Sequence, residues 1–154
     1  MADSRFSNVG LHHVGYLVAD IVDAAKHFRD VFGYSLESEV IEDPIQTARV
    51  QFLRPPGGTS WLELIAPIGS GGKLGPALAK GGGLHHLCYE VKEIDGACVH
   101  FRENKCLMIS APVTARAFPG RRIAWFMDNR RFLFELVQAG TPPLSLEALL
   151  RAPK

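Results

Sequence analysis

The sequence predicts an α+β fold made of two tandem βαβββ modules, because its two halves repeat each other. Residues 11–21 (LHHVGYLVADI) and 84–94 (LHHLCYEVKEI) match at a separation of 73 positions. The match continues into the next segment, in which four residues recur at the same separation: Ala24, His27, Phe28 and Arg29 return as Ala97, His100, Phe101 and Arg102. Later, LEL at 62–64 returns as FEL at 134–136. An internal repeat of this length indicates two copies of one supersecondary unit.

In the first module, the hydrophobic pattern predicts a strand, a helix and three further strands. Residues 11–18 alternate between two faces and include β-branched and aromatic side chains, as a strand does. Asp20 is the expected N-cap of a helix that Gly33 ends, with apolar residues at helical spacing between them. Turns rich in proline and glycine then separate three predicted strands, at 36–42, 47–53 and 60–66.

The second module repeats this order. A strand over 86–91 and a helix over 94–104 precede three strand-like segments, at 107–117, 121–127 and 132–138. Pro112 has no N–H to donate, so the segment that contains it is predicted to be an edge strand or a broken strand.

Together the modules predict a single domain over 9–138, with module one at 9–67 and module two at 84–138. Between them, the connector 67–83 contains seven glycines and is predicted to be flexible, with a short helix at 74–80. It lacks the GxxxxGK[ST] pattern of a phosphate loop. Residues 139–154 are predicted to be a C-terminal tail, with a short helix at 144–151 that packs on the surface or on a partner chain.

The composition predicts a cytoplasmic protein that acts on small molecules. Of the 154 residues, 47% are hydrophobic and 21% are charged, and the net charge is +1, so neither nucleic acid nor an anionic membrane is an expected partner. No apolar run approaches the roughly 18 residues of a membrane span, and the first residues do not resemble a signal peptide. The three cysteines are predicted to be reduced thiols.

Each module carries one histidine segment and one glutamate segment, and these predict a metal site. His13 and His86 occupy equivalent positions, as do Glu63 and Glu135. A carboxylate in an apolar strand is costly to bury unless it is paired, protonated or bound to a metal. Taken singly, each residue has an ordinary alternative, either a hydrogen-bonded core histidine or a glutamate on a solvent-facing strand. The duplication favours a shared metal. Because side chains alternate along a strand, the neighbouring histidines at positions 12 and 85 are expected to face the opposite side.

Two neutral imidazoles and two carboxylates form a charge-neutral set of ligands for one divalent ion. Four protein ligands leave two positions of an octahedron for a chelating substrate or for water. Because no thiolate belongs to the set, a structural zinc site is not expected. The predicted cofactor is one divalent metal ion, and Co, Ni, Mn, Zn and Fe all suit these ligands.

Four segments resemble the vicinal oxygen chelate superfamily (glyoxalase, bleomycin resistance and dioxygenase proteins), and within it the methylmalonyl-CoA epimerase group. They are LHHVGYLVADIVDAAKHF, WLELIAP, GGGLHHLCYEVKEI and FLFELVQ. The resemblance covers about residues 9–138 and implies a cupped eight-stranded mixed sheet around one divalent metal. On this resemblance the metal ligands are His13, Glu63, His86 and Glu135. The stretch MDNRRFLFEL and the loop at 117–122 depart from the epimerase pattern.

The resemblance implies a metal-dependent epimerase or isomerase that acts on an acyl-CoA or another α-carbonyl acid. The metal would stabilise negative charge that develops on a substrate oxygen. Glu63 and Glu135 are the expected catalytic bases, and Arg122 is the expected contact for an anionic group of the substrate or a cofactor.

Two other functions stay open from the sequence, and a third, ring-cleaving dioxygenase, is the least favoured. A glyoxalase I-type lyase uses the same types of ligand, and a small-molecule (antibiotic) binding protein would need none of them. A ring-cleaving dioxygenase uses two histidines and one carboxylate, and Glu63 would crowd its open positions.

A homodimer is also expected, because exposed sheet edges are commonly covered by a partner.

Overall fold

The chain contains two similar modules in succession, each with a first strand, a helix and then further strands. The structure, a computed structural model, describes residues 10–69 and 72–140. Within them the elements are, in chain order, β1 (Gly10–Leu17), α1 (Ile21–Phe32), β2 (Ser35–Leu36), β3 (Ile41–Asp43), β4 (Ala48–Arg54), β5 (Trp61–Pro67), α2 (Gly75–Ala79), β6 (Gly83–Val91), α3 (Ile94–Glu103), β7 (Leu107–Ala115), β8 (Phe118–Met127) and β9 (Leu133–Gln138).

The nine strands of the described residues form one mixed sheet. Its order is β2-β4-β5-β1-β6-β9-β8-β7, and β3 pairs with β4. In each half, the first strand pairs in parallel with the last, β1 with β5 and β6 with β9. The halves join through the antiparallel pairing of β1 with β6, so the two histidine-bearing strands are neighbours at the centre. The predicted α+β fold, with two βαβββ modules in one cupped mixed sheet, is confirmed.

The predicted strand over 36–42 is interrupted, which is why the described sheet has nine strands instead of eight. Between β2 and β3, the hydroxyl of Ser38 accepts the Phe52 N–H at 3.0 Å, and its carbonyl accepts the side-chain amide of Gln51 at 3.0 Å. These hydrogen bonds to side chains satisfy the Ser38 carbonyl and the Phe52 N–H in place of regular backbone pairing between strands. The prediction of one continuous strand was wrong.

The elements of the second module match the predicted order. β7 contains Pro112 and lies at the end of the sheet, as predicted. Its pairing with β8 shifts register between Ser110 and Val113, around the residue that has no N–H to donate. β8 begins at Phe118 rather than at residue 121.

The predicted ends of α1 are confirmed. The Asp20 side chain accepts the Asp23 N–H at 3.0 Å, as an N-cap does. Gly33 follows the last turn with a φ of 72°, a left-handed conformation that favours glycine.

Helices cover one face of the sheet, and the glutamates point to the other. Leu62 and Leu64 of β5 pack in one cluster with α1, and Phe134 and Leu136 of β9 pack in another with α3. Because successive side chains of a strand point to opposite faces, the glutamate between each pair is directed away from the helices. The candidate site therefore lies on the face of the sheet opposite α1 and α3.

The connector contains a short helix, α2, within the predicted range of 74–80. The predicted tail helix at 144–151 lies outside the described residues, and so does residue 9, so the domain limits of 9–138 stay a prediction. Among the described residues, no helix is long and apolar enough to cross a membrane. Cys88, Cys98 and Cys106 are all free thiols.

Candidate metal centre

The four candidate ligands lie on four neighbouring strands at the centre of the sheet. In sheet order, Glu63 is on β5, His13 on β1, His86 on β6 and Glu135 on β9. Strand register aligns them: Gly15 lies opposite both Glu63 and His86, whereas Cys88 lies opposite both His13 and Glu135. Each module thus contributes one imidazole and one carboxylate, in a pseudo-symmetric arrangement.

The structure brings these four predicted residues together. Nε2 of His13 lies 3.0 Å from Nε2 of His86, 2.9 Å from Oε2 of Glu63 and 3.4 Å from Oε2 of Glu135. Nε2 of His86 lies 3.3 Å and 3.2 Å from the same two oxygens. The four residues are 0%, 6%, 1% and 3% exposed in chain order, so water does not screen their interaction.

These contacts fit a metal ion better than a hydrogen-bond network. Among the described residues, Oε2 of Glu63 is buried without a hydrogen-bond partner, although an imidazole nitrogen lies 2.9 Å away. An unpaired buried carboxylate oxygen is costly, whereas lone pairs of two nitrogens and two oxygens that converge suit a divalent cation. The four ligand atoms lie within 4.8 Å of one another. The residues present therefore fit one divalent ion.

The charges of the cluster also suit a divalent ion. Burial lowers the pKa of His13, but the neighbouring carboxylates of Glu63 and Glu135 raise it, and the result lies well above the ordinary value. Burial also lowers the pKa of His86, but its contacts with Glu135 and Glu63 raise it above the ordinary value. Burial would raise the pKa values of both glutamates, but the two histidines lower them. A divalent ion among these side chains would supply positive charge to the two carboxylates in place of protons on the histidines.

A bulge in each central strand brings His12 and His85 beside the inner histidines. The pairing of β1 with β6 skips His12 on one strand and His85 on the other, and an extra residue of this kind re-aims side chains. Nδ1 of His12 lies 2.8 Å from Nδ1 of His13, and Nδ1 of His85 lies 2.8 Å from Nδ1 of His86. The prediction that these two residues face the opposite side was wrong. Burial lowers the pKa of each outer histidine to about 4, so both are neutral near pH 7.

The centre lies in the wall of an apolar cavity of about 340 Å³. Glu63, His85, His86 and Glu135 line it, and most of the remaining wall is apolar: Val50, Ile65, Leu74, Phe118, Ile123, Trp125 and Leu133. A concave apolar site with a few convergent polar groups is typical of a small-molecule site.

Aromatic rings hold the inner histidines, and sequence analysis missed them. Phe52 lies edge-on to His13 with ring centroids 5.6 Å apart, and Trp125 lies edge-on to His86 at 4.6 Å. Phe52 and Trp125 are themselves 73 positions apart, so the repeat spacing could have identified them. Among the described residues, Nε1 of Trp125 is buried without a hydrogen-bond partner, which leaves an N–H donor in the cavity wall.

Gly15 gives the His86 ring the space that it occupies. A Cβ built on Gly15 would lie 2.1 Å from Cε1 and 2.3 Å from Nδ1 of His86. Its counterpart in the other module is Cys88, opposite His13. Burial raises the pKa of the Cys88 thiol to about 12, so it stays protonated near pH 7 in the metal-free protein.

Arg122 is not brought to this site. Its guanidinium donates to both carboxylate oxygens of Asp95, at 3.1 Å and 2.7 Å, and its Nε donates to Oε1 of Gln138 at 3.1 Å. It is not among the described residues that line the cavity, whereas Lys73 of the connector is. The role of Arg122 toward an anionic substrate stays a prediction that this geometry does not support.

Comparison with known proteins identifies the family. A model of the Glyoxalase/Bleomycin resistance protein/Dioxygenase superfamily matches residues 12–125. The chain belongs to this superfamily. Mitochondrial methylmalonyl-CoA epimerase of Mus musculus is 34% identical over 102 residues, which cover 65% of this chain and 56% of that protein. The Homo sapiens epimerase is 31% identical over 137 residues, which cover 86% of this chain and 76% of that protein.

A solved structure shows the same fold. The crystal structure of methylmalonyl-CoA epimerase from Mycobacterium tuberculosis is 27% identical, with a TM-score of 0.75 over 90% of this chain and 91% of that one. The predicted superfamily and the predicted resemblance to methylmalonyl-CoA epimerases are confirmed. The alignment with the mouse enzyme spans just over half of that protein's length.

Proposed function

We propose that this protein is a metal-dependent epimerase that inverts the α-carbon of a 2-substituted acyl-CoA such as methylmalonyl-CoA. The observation that carries the proposal is the convergence of two imidazoles and two carboxylates in the wall of an apolar cavity. The names of the relatives support the substrate class.

His13, Glu63, His86 and Glu135 would hold the ion, one residue from each central strand. A divalent ion bound there would act as a Lewis acid toward a substrate carbonyl oxygen and so make the α-hydrogen more acidic. Mn, Co, Ni, Fe and Zn all accept mixed nitrogen and oxygen ligands, so the proposal covers any of these five.

The cavity wall contributes by excluding water. Its aliphatic and aromatic side chains lower the local dielectric, which strengthens every interaction with charge that develops on the substrate. Trp125 adds a directional group, since its Nε1–H is buried without a partner among the described residues. We assign this N–H as a donor to a substrate oxygen.

Glu63 and Glu135 are proposed as the groups that move the α-proton. Inversion requires removal of the proton on one face and delivery on the other, and these carboxylates come from different modules. Asp43 also lines the cavity, but its oxygens accept the N–H groups of Ile45, Gln46 and Arg116. These three N–H donors already engage both oxygens of the Asp43 carboxylate.

The proposal is tested with one epimer of methylmalonyl-CoA in deuterated water. Metal-loaded protein should invert the centre and incorporate deuterium at the α-carbon, and chelator-treated protein should do neither. The hemithioacetal of methylglyoxal and glutathione serves as the comparison substrate. Turnover of the hemithioacetal alone would show a glyoxalase I-type lyase, and turnover of neither would show a binding protein.

The roles of the glutamates need a separate test. Glu63→Gln and Glu135→Gln keep a side-chain oxygen at each position but remove the carboxylate base, so each should greatly slow α-deuterium incorporation. If a variant with both substitutions still exchanges the α-proton at the wild-type rate, neither glutamate is the base.

We also propose that the protein is a homodimer. The edge strand β7 carries exposed Leu107 and Ile109, and apolar side chains on a sheet edge favour pairing with another chain. Sedimentation at micromolar concentration should show twice the 16.9 kDa chain mass. A single species of chain mass would contradict the dimer.

A further inference from the structure

The outer histidine of each pair has a defined relation to the inner one. We infer that His12 and His85 are positioning residues, which hold His13 and His86 in the tautomer whose Nε2 faces the metal. This inference rests on the metal centre of the proposed function. Its basis is that each outer Nδ1 lies 2.8 Å from the Nδ1 of its inner neighbour.

The direction of these hydrogen bonds follows from the chemistry of the imidazole ring. A neutral imidazole has one N–H and one lone pair. If Nε2 of His13 gives its lone pair to a metal, its proton must be on Nδ1, so Nδ1 of His12 must be the acceptor. The same argument makes His85 the acceptor for His86. Metal-binding histidines usually donate their second nitrogen to a partner of this kind.

The device occurs twice, which argues against a chance contact. Both outer histidines are the extra residues of bulges in the β1–β6 pairing. In both pairs the ring centroids lie 5.1 Å apart, with interplanar angles of 78° and 85°. A regular strand would place the two rings on opposite faces, so the bulges are what allow this contact.

A histidine acceptor also suits the charge of this site. The common acceptors for a metal-bound histidine include carboxylates. Two further carboxylates would add two negative charges to a buried cluster that already contains Glu63 and Glu135. A neutral imidazole orients the ligand without changing that charge.

Nitrogen-15 NMR of zinc-loaded wild-type protein tests the tautomers directly. His13 and His86 should carry their protons on Nδ1, with zinc on Nε2, and His12 and His85 should carry theirs on Nε2. A spectrum with zinc on Nδ1 of an inner histidine, or a proton on Nδ1 of an outer one, would overturn the inference. This measurement needs no variant to fold.

Substitutions test whether the bonds matter for metal binding. His12→Leu and His85→Leu remove the acceptor and should weaken zinc binding by about 10- to 100-fold each. His12→Asn and His85→Asn place an amide oxygen near the position of Nδ1, so they should recover most of the affinity. His27→Leu, at an exposed position on α1, is the matched control and should bind zinc as the wild type does.

The outcomes separate this inference from the metal centre itself. If wild-type protein binds no zinc, the metal centre fails and the inference fails with it. If the wild type binds zinc but the leucine variants bind equally well, only the positioning role is wrong. Equal weakening by leucine and asparagine would also overturn it, because packing rather than hydrogen bonding would then be the cause.

Discussion

One added methyl group at Gly15 is expected to displace His86 from the metal centre. The Cβ of a Gly15→Ala substitution would lie 2.1 Å from Cε1, 2.3 Å from Nδ1 and 2.8 Å from Nε2 of His86. Non-bonded carbon atoms are ordinarily about 3.5–4.0 Å apart. The ring must therefore move by about 1.4 Å, or β1 and β6 must separate by a similar distance.

A displacement of that size is large compared with what a metal ligand tolerates. Metal–ligand distances lie within about 0.2 Å of their standard values. The ring has little room to move, because it is buried and Trp125 lies against it at 4.6 Å. Overpacking of this kind costs about 1–3 kcal/mol of stability. Since losing a residue that only supports a ligand costs about 10- to 100-fold in affinity, displacing the ligand itself should cost at least about 100-fold.

Zinc affinity, measured by competition with a chelator, and thermal unfolding of the metal-free protein test this prediction. Gly10→Ala is the control, because it lies on the same strand and a Cβ built there meets no heavy atom of residues 10–69 and 72–140 within 4 Å. It should match the wild type in both measurements. If Gly15→Ala also binds zinc with wild-type affinity, the described position of the His86 ring is not the one that binds metal.

Three further predictions concern protons, helix stability and substrate binding. The pKa values of His13 and His86 are higher in the folded protein than in the unfolded chain, where a histidine has a pKa of about 6.5. Protonation of these two histidines should therefore stabilise the metal-free fold fully below about pH 6.5, and this stabilisation should be lost as the pH rises through their pKa values in the fold. At a pH between the unfolded and folded pKa values of these histidines, zinc binding should release up to about two protons. Calorimetry in buffers of different ionisation enthalpy measures this proton release, and its absence would contradict the raised pKa values. Gly96 is exposed on α3, and a Cβ built there meets no heavy atom of the described residues within 4 Å. Gly96→Ala should therefore raise the free energy of unfolding by about 0.5–1 kcal/mol, and a lowered denaturant midpoint would count against this. Trp125→Phe should raise KM for an anionic acyl-CoA by about 10-fold or more with little change in zinc affinity. Arg122→Ala should leave both KM and the thermal unfolding midpoint nearly unchanged, because its ion pair with Asp95 is exposed to solvent. The reverse pattern would return the substrate-binding role to Arg122.

The internal repeat made the fold and the clustering of the four candidate ligands predictable, because both depend on patterns that the sequence carries. Alternation around Glu63 and Glu135 and the equivalent positions of His13 and His86 determine which side chains share a face. The same spacing relates Phe52 to Trp125, so the aromatic supports were within reach of the sequence as well.

Other features depend on pairing between strands, which local patterns do not carry. The bulges at His12 and His85 arise from the register of β1 against β6, so a rule based on regular alternation placed these side chains on the wrong side. The interruption at Ser38 depends on its bond to the Phe52 N–H across the sheet. The partner of Arg122 is Asp95, 27 positions away on α3, and no motif links the two.

Metal content of the purified protein tests the central claim most directly. After exposure to Mn, Co, Ni, Fe or Zn and removal of loosely bound ions, the wild type should retain about one divalent ion per chain for at least one of these metals. His13→Ala and His86→Ala should each lose most of it, and His27→Ala should keep it. Wild-type protein that retains none of the five, or His13→Ala and His86→Ala proteins that both retain wild-type occupancy, would contradict a metal centre at these four residues.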